Sequence, residues 1–162
     1  MLTFQELYDS YAGDVYRFAL WLSGDSFAAG DITSDTFIRA WTHRDNIRTE
    51  TLKAYLFTIA RNIYLEEGRN GKRQVALNDV HTNPSPAPEQ VLEAKLDLAK
   101  VRQVLQTLPE IDRTAFVLRV QHELPYAEIA RVLEISLSSA KVKVHRVRKK
   151  ILAAFAAVEV FC

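Results

Sequence analysis

The stretch Pro125 to Lys150, PYAEIARVLEISLSSAKVKVHRVRKK, decides the fold, because it reads as two helices joined by a tight turn. In the first helix Ile129, Ala130, Val132 and Leu133 supply one apolar side. In the second, Leu137, Ala140, Val144, Val147 and Ile151 recur at spacings of three and four, so both rows face a core. The second helix carries charge of one sign: Lys141, Lys143, Arg146, Arg148, Lys149 and Lys150 stand between Ser136 and Ile151, with no Asp or Glu. At roughly 100° per residue, Ser138, Lys141, Val142, His145 and Lys149 lie opposite the apolar row, with Lys143, Arg146 and Lys150 on one flank. Ser136 and Ser138 are suited to cap this helix and aim its N-terminus outward, as in a recognition helix entering the major groove. A basic solvated face would explain the charge run, but not a helix, a turn and a second helix at this spacing.

Outside this unit the chain is ordinary in composition. With 162 residues, 48% apolar and 25% charged, it suits one domain or two small soluble ones. The net charge of +1 hides a split: residues 1–50 hold eight acids and four bases, a local −4, against +6 in the second helix of the unit. An acidic face for a protein partner and a basic one for nucleic acid follow from that division. The single cysteine, Cys162, forms no intrachain disulfide and no zinc cluster, which fits a reducing cytoplasm. No signal segment and no run of about 18 apolar residues points to secretion or membrane insertion. The apolar tail ILAAFAAVEVFC, residues 151–162, reads as an extension of the last helix that packs on a domain or partner.

Helical periodicity is nearly continuous, so the predicted fold is all-α. A first helix runs from about Thr3 to Leu22, with Phe4, Leu7, Tyr8, Tyr11, Val15, Phe18, Ala19 and Leu22 as its stripe. Thr3 and Glu6 form a capping box at its start, and Ser23-Gly24 ends it. A second helix covers about 26–43 and a third about 51–67, the third with Leu52, Tyr55, Leu56, Ile59 and Ile63 on one side. From Gln74 the periodicity fails, and Pro84, Pro86 and Pro88 alternate through HTNPSPAPE, which makes this a flexible, extended linker. Two small helical domains, 1–73 and 90–162, joined by the linker 74–89, therefore move independently in this reading. In the second, a helix over 90–108 precedes one opened by Pro109 and then the helix-turn-helix.

On the third helix Lys53, Phe57, Arg61 and Tyr64 share the face opposite the stripe, followed by Arg69, Lys72 and Arg73. Aromatics among cations suit unstacked bases, since each base has a π face and the strand is anionic. Phe57 and Tyr64 equally suit packing on a neighbouring helix. On the second helix Asp31 and Asp35, four apart, share a face that can meet basic groups.

Taken in order, these segments resemble the extracytoplasmic-function (ECF) sigma factors of bacterial RNA polymerase. FQELYDSYAGDVYRFALWLSGD resembles the family's opening helix, and DITSDTFIRAW its acidic polymerase-docking helix. LKAYLFTIARN resembles the helix that handles the −10 element, and TLPEIDRTAFVLRVQHELPYAEIARVLEISLSSAKVKVHRVRKKI the −35-binding domain. The resemblance implies that Asp31, Asp35, Arg39 and Trp41 contact core polymerase. It implies that Lys53, Phe57, Arg61, Asn62, Tyr64, Arg69, Lys72 and Arg73, with the loop 45–50, handle the melted −10 strand. It also implies that Ser138, Ser139, Lys141, Val142, Lys143, His145, Arg146, Lys149 and Lys150 meet the −35 element. An anti-sigma partner, which can hold the protein at a membrane it does not itself enter, comes with the family. The chain departs from the pattern at Ser34, where Gln is frequent, at Glu134, where the turn often carries Gly, and at Val142, where a small polar residue is common.

Two rivals remain at this stage: an autonomous helix-turn-helix regulator binding operator DNA as a dimer, and a protein-interaction adaptor. Catalysis is not expected, since His43, His81, His122 and His145 are scattered and no phosphate loop or metal motif occurs. No cofactor or metal is expected either.

Overall fold

Seven α-helices account for nearly all of the residues that the computed structural model describes, which are 3–46, 52–69 and 89–161, with side chains described except at 69, 89–96 and 156–161. They are α1 (Phe4–Ser23), α2 (Ser26–Thr42), α3 (Leu52–Arg69), α4 (Glu89–Gln106), α5 (Glu110–Val120), α6 (Tyr126–Leu133) and α7 (Leu137–Phe161), with a short 3-10 turn at Arg44–Asn46. No strand occurs among the described residues, as an all-α reading requires. The linker expected over 74–89 lies outside the described residues apart from Glu89, which starts α4.

Local chemistry sets the boundaries. The Glu6 amide donates to Thr3 Oγ1 at 3.1 Å while the Thr3 amide donates to Glu6 Oε2 at 3.0 Å, the reciprocal box that satisfies two orphan donors. Gly24 closes α1 at φ 70°, a left-handed conformation open to glycine without a Cβ penalty. Asp25 then accepts from the amides of Phe27 and Ala28 and starts α2. Ser136 Oγ accepts the Ser139 amide at 3.1 Å and opens α7.

Helices α1, α2 and α3 pack pairwise around Phe18, Leu22, Ile32, Phe37, Leu56 and Ile63. In the second half, α5, α6 and α7 enclose Leu118, Ile129, Ala140, Val144 and Val147, with α4 adding Leu105. Leu137, expected in this core, is 46% exposed, because it begins α7 one turn before Ala140, where burial starts. Beyond the helix-turn-helix, α7 continues through the apolar tail, where Lys100 Nζ sits 5.5 Å from the Phe155 ring centre and Leu152 is exposed.

The helices form two clusters, α1–α3 and α4–α7. Helix α3 packs on α6 and α1 on α5, so in this arrangement the two helical clusters touch. A proline-rich connection argues for an extended linker, but it says nothing about whether the bodies on either side carry complementary faces.

The turn between α6 and α7 shows the effect of the departure at Glu134. This residue adopts φ 56°, ψ 47°, and the Ile135 amide reaches back to the Ala130 carbonyl at 3.0 Å in the Schellman pattern. A side chain in this region costs free energy that glycine avoids. Glu134→Gly is therefore expected to stabilise the protein by roughly 0.5–1 kcal/mol, after the entropy glycine adds to the unfolded chain is set against the relief of strain. Thermal denaturation followed by circular dichroism measures it, and a lowered Tm contradicts the strain.

Candidate nucleic-acid interface

On α7 the predicted face is in place. Ser138, Lys141, Val142, His145, Arg146, Lys149 and Lys150 are all exposed, on the side away from buried Ala140, Val144 and Val147. Ser139 is half-buried and its amide is used in the cap. Lys143 differs. Its Nζ donates to Asp112 Oδ1 of α5 at 3.1 Å, with both side chains mostly buried, so it braces the recognition helix against its support. Val142 is 44% exposed and stands alone as an apolar residue among cations and hydroxyls.

The face read on α3 is coherent, but it is covered. Phe57 is fully buried, 4.7 Å from the Phe18 ring centre and 4.5 Å from that of His122, which enters from the α5–α6 connection. Lys53 Nζ donates to the His122 carbonyl at 3.2 Å and lies 3.9 Å from Asp14. Arg61 makes a two-pronged pair with the Glu110 carboxylate, at 2.8 and 2.9 Å, and Glu110 Oε1 also accepts from the Thr114 hydroxyl. Tyr64 OH accepts from Arg113 Nη2 at 2.9 Å. In this arrangement Phe57 is buried, Arg61 and Tyr64 are engaged with the second half, and Lys53 stays 38% exposed. A helix with one neighbour buries one stripe, whereas α3 has neighbours on two sides and buries Leu56 and Ile63 on one, Phe57 and Ala60 toward the other. Asn62 is exposed. The side chain of Arg69, with Lys72 and Arg73, lies outside the described residues, as does most of the loop 45–50.

On α2, Asp31 and Asp35 are exposed on one face, together with Ser34 and Ile38, the latter 60% exposed. Arg39 pairs with Glu66 of α3 at 3.0 Å, and that hydrogen bond holds its guanidinium pKa above the ordinary value. Trp41 is half-buried, with the Phe4 ring edge-on at 5.7 Å and the Arg44 guanidinium 4.6 Å from its centre. It belongs partly to the α1–α2 packing.

Sequence reasoning missed His122, Glu110, Arg113 and Asp112. His122 is 5% exposed, and its Nε2 is buried without a hydrogen-bond partner among the described residues. Burial pushes its pKa down from 6.5 to about 4; Lys53 pushes the same way, Asp14 opposes and Arg17 adds a little. Glu110 and Arg113 lie on a short helix that buries six consecutive positions from Arg113 to Leu118, a burial that only the structure displays. No pattern within one segment names the partner across the molecule.

A helical first half, a second half ending in a helix-turn-helix and an exposed basic recognition face define a two-part promoter-binding protein. The family model described as Sigma-70 region 2 matches residues 7–74, and that described as Sigma-70, region 4 matches residues 98–151. The chain is 30% identical over 159 residues to the ECF RNA polymerase sigma factor SigM of Bacillus subtilis, covering 95% of this chain and 96% of that one. It is also 30% identical over 143 residues to the ECF sigma factor SigL of Mycobacterium tuberculosis, covering 86% and 81%. Among solved structures, sigma factor RpoE of Bartonella quintana, crystallised with the anti-sigma factor NepR, superposes with a TM-score of 0.76 over 94% of this chain and 96% of that one, at 24% identity, and so shares the fold. The protein belongs to the ECF sigma factors. It directs promoter-specific initiation by core RNA polymerase.

The Arg61–Glu110 pair joins the halves with both side chains largely out of water, at 14% and 21% exposure. A double-mutant cycle of Arg61→Ala and Glu110→Ala in urea unfolding is expected to give a coupling of roughly 1–2 kcal/mol. A coupling within error of zero means that the halves do not meet there.

Proposed function

We propose that the two halves divide the promoter between them: α7 takes the −35 element and the first half takes the −10 strand, while the acidic face of α2 docks on polymerase. The observation that supports this reading best is the exposed, one-signed face of α7 set on the far side of a packed helix-turn-helix. Lys149 and Lys150, toward the end of the basic stretch, suit phosphates, whereas Lys141, His145 and Arg146 suit base edges. Val142 offers only methyl groups, which fit the C5-methyl of a thymine. On α2, Asp31 and Asp35 with exposed Ile38 form a patch that pairs carboxylates with an apolar contact, suited to a basic polymerase surface with a hydrophobic centre. In the first half Asn62 is already open to a DNA strand. An anti-sigma factor is the expected antagonist, and the cytoplasm, where polymerase works, the expected location.

Run-off transcription with core polymerase and promoter fragments tests the assignment. Specific transcripts are expected only with the protein added. No transcripts, together with tight unaided binding to palindromic DNA, would instead identify an operator-binding regulator. On single-base −35 variants, Lys149→Ala should weaken all promoters alike and reduce the magnitude of the salt slope by about one, whereas Arg146→Ala should relax discrimination at one position by roughly 1–3 kcal/mol. For Val142 the probe is deoxyuridine in place of each −35 thymine, which removes one methyl and nothing else. One such substitution should weaken the wild type a few fold and leave Val142→Ala unaffected; uniform indifference of the wild type excludes the methyl contact.

A further inference from the structure

The −10 and −35 elements are centred about 25 base pairs apart, roughly 85 Å along B-form DNA at 3.4 Å per pair. The two halves, by contrast, touch through side chains and rings 3–5 Å apart. No chain in this arrangement occupies both elements. The contact also buries the α3 face that the proposed function gives to the −10 strand: Lys53, Phe57, Arg61 and Tyr64 each spend their reach on the second half.

At the centre of this contact stands His122. The α5–α6 connection turns through Glu123 at φ 55°, a left-handed conformation at a residue with a Cβ, and carries the imidazole into a seat between α1 and α3. Phe18 lies edge-on at 5.9 Å and Phe57 at 4.5 Å, and the His122 carbonyl accepts from Lys53. A turn held in this conformation, presenting a ring to an aromatic seat on the opposite half, is shaped for insertion.

We propose that His122 is a plug by which the second half closes over the −10 face of the first, so that the free protein is self-occluded and promoter binding requires the imidazole to leave its seat. This rests on the reading that the α3 face meets DNA; the closure itself does not. The seat accepts the neutral ring only. Among the described residues its Nε2 has no partner, and the charged groups facing it are Lys53 from α3 and Asp14 and Arg17 from α1, with Glu123 beside it on its own turn, exposed to solvent. Two cations against one carboxylate at the seat oppose an imidazolium. The closed state is therefore fully favoured above the ordinary histidine value of 6.5 and loses ground as pH falls from there toward about 4, where the seated histidine is itself protonated. Between pH 7.5 and 5.5 the open-to-closed ratio should rise about tenfold, while carboxylates with ordinary pKa values stay ionised.

Single-molecule energy transfer between dyes on Ser10→Cys and Ala153→Cys, in a Cys162→Ser background, reads the separation of the halves in the full chain. Supporting results are a wild type that opens about tenfold more at pH 5.5, a His122→Phe variant that stays closed at both pH values, and a His122→Lys variant open at both with unchanged helical content. Binding of a single-stranded −10 oligonucleotide should track the open fraction across the three proteins. A pH response retained in His122→Phe, a wild type without one, or oligonucleotide binding by protein whose halves remain together overturns the proposal. Normal run-off transcription alongside any of these leaves the sigma-factor assignment standing and removes only the plug.

Discussion

Burial of α3 from two sides is the constraint on which the molecule turns. One side of the helix completes the three-helix core with Leu56 and Ile63, and the other receives the second half through Phe57, Arg61 and Tyr64. The apolar part of that second contact includes the rings of Phe18, Phe57 and His122. The polar part is specific: a two-pronged Arg–Glu pair, a Tyr–Arg hydrogen bond and a lysine on a backbone carbonyl. The polar contacts fix a defined alignment, and charged groups that leave such an interface recover hydration.

The recognition helix follows a different economy. Its inner row of Ala140, Val144 and Val147 is sealed against α5 and α6, and its outer row is left to solvent. A short α6 with a positive-φ exit fixes the angle between the two helices, and the Ser136 cap fixes where α7 begins. The exposed side chains of α7 are thereby mounted on a helix whose axis and rotation are set in advance, which limits the ordering cost of any binding at that face.

Much of this was legible in the sequence, and the limits are instructive. Periodicity and punctuation found the seven helices of the described residues: six are bounded by Thr3, Gly24, Ser136 or a proline, and α3 shows itself by its stripe of Leu52, Tyr55, Leu56, Ile59 and Ile63. It also grouped Lys53, Phe57, Arg61 and Tyr64 correctly on one face. It gave that face to solvent and DNA, since helical spacing reports which residues share a side and not what lies opposite. His122 escaped notice for the same reason: a lone histidine between Gln121 and Glu123 reads as an exposed turn, and only the aromatic seat from a distant segment makes it a core residue. Leu137 erred the other way, as an apolar residue in register with a buried row but one turn too early to be covered. Glu134 was readable, because a turn of this length demands a positive φ whatever residue fills it.

The ion pair between Lys143 and Asp112 has a consequence for thermodynamics in salt. A lysine that neutralises a phosphate releases a condensed cation from DNA, and that release is what makes binding weaken as salt is added. Lys143 already holds a carboxylate of its own protein at 3.1 Å, so its counterion is covalently part of the fold and cannot be released. Of the six cations between Ser136 and Ile151, five remain exposed, and at about 0.9 ions per neutralised phosphate they support a log–log slope no steeper than about −4.5 from this helix. On the proposed reading of α7, Asp112 thus moderates how strongly ionic strength governs the second half's hold on DNA.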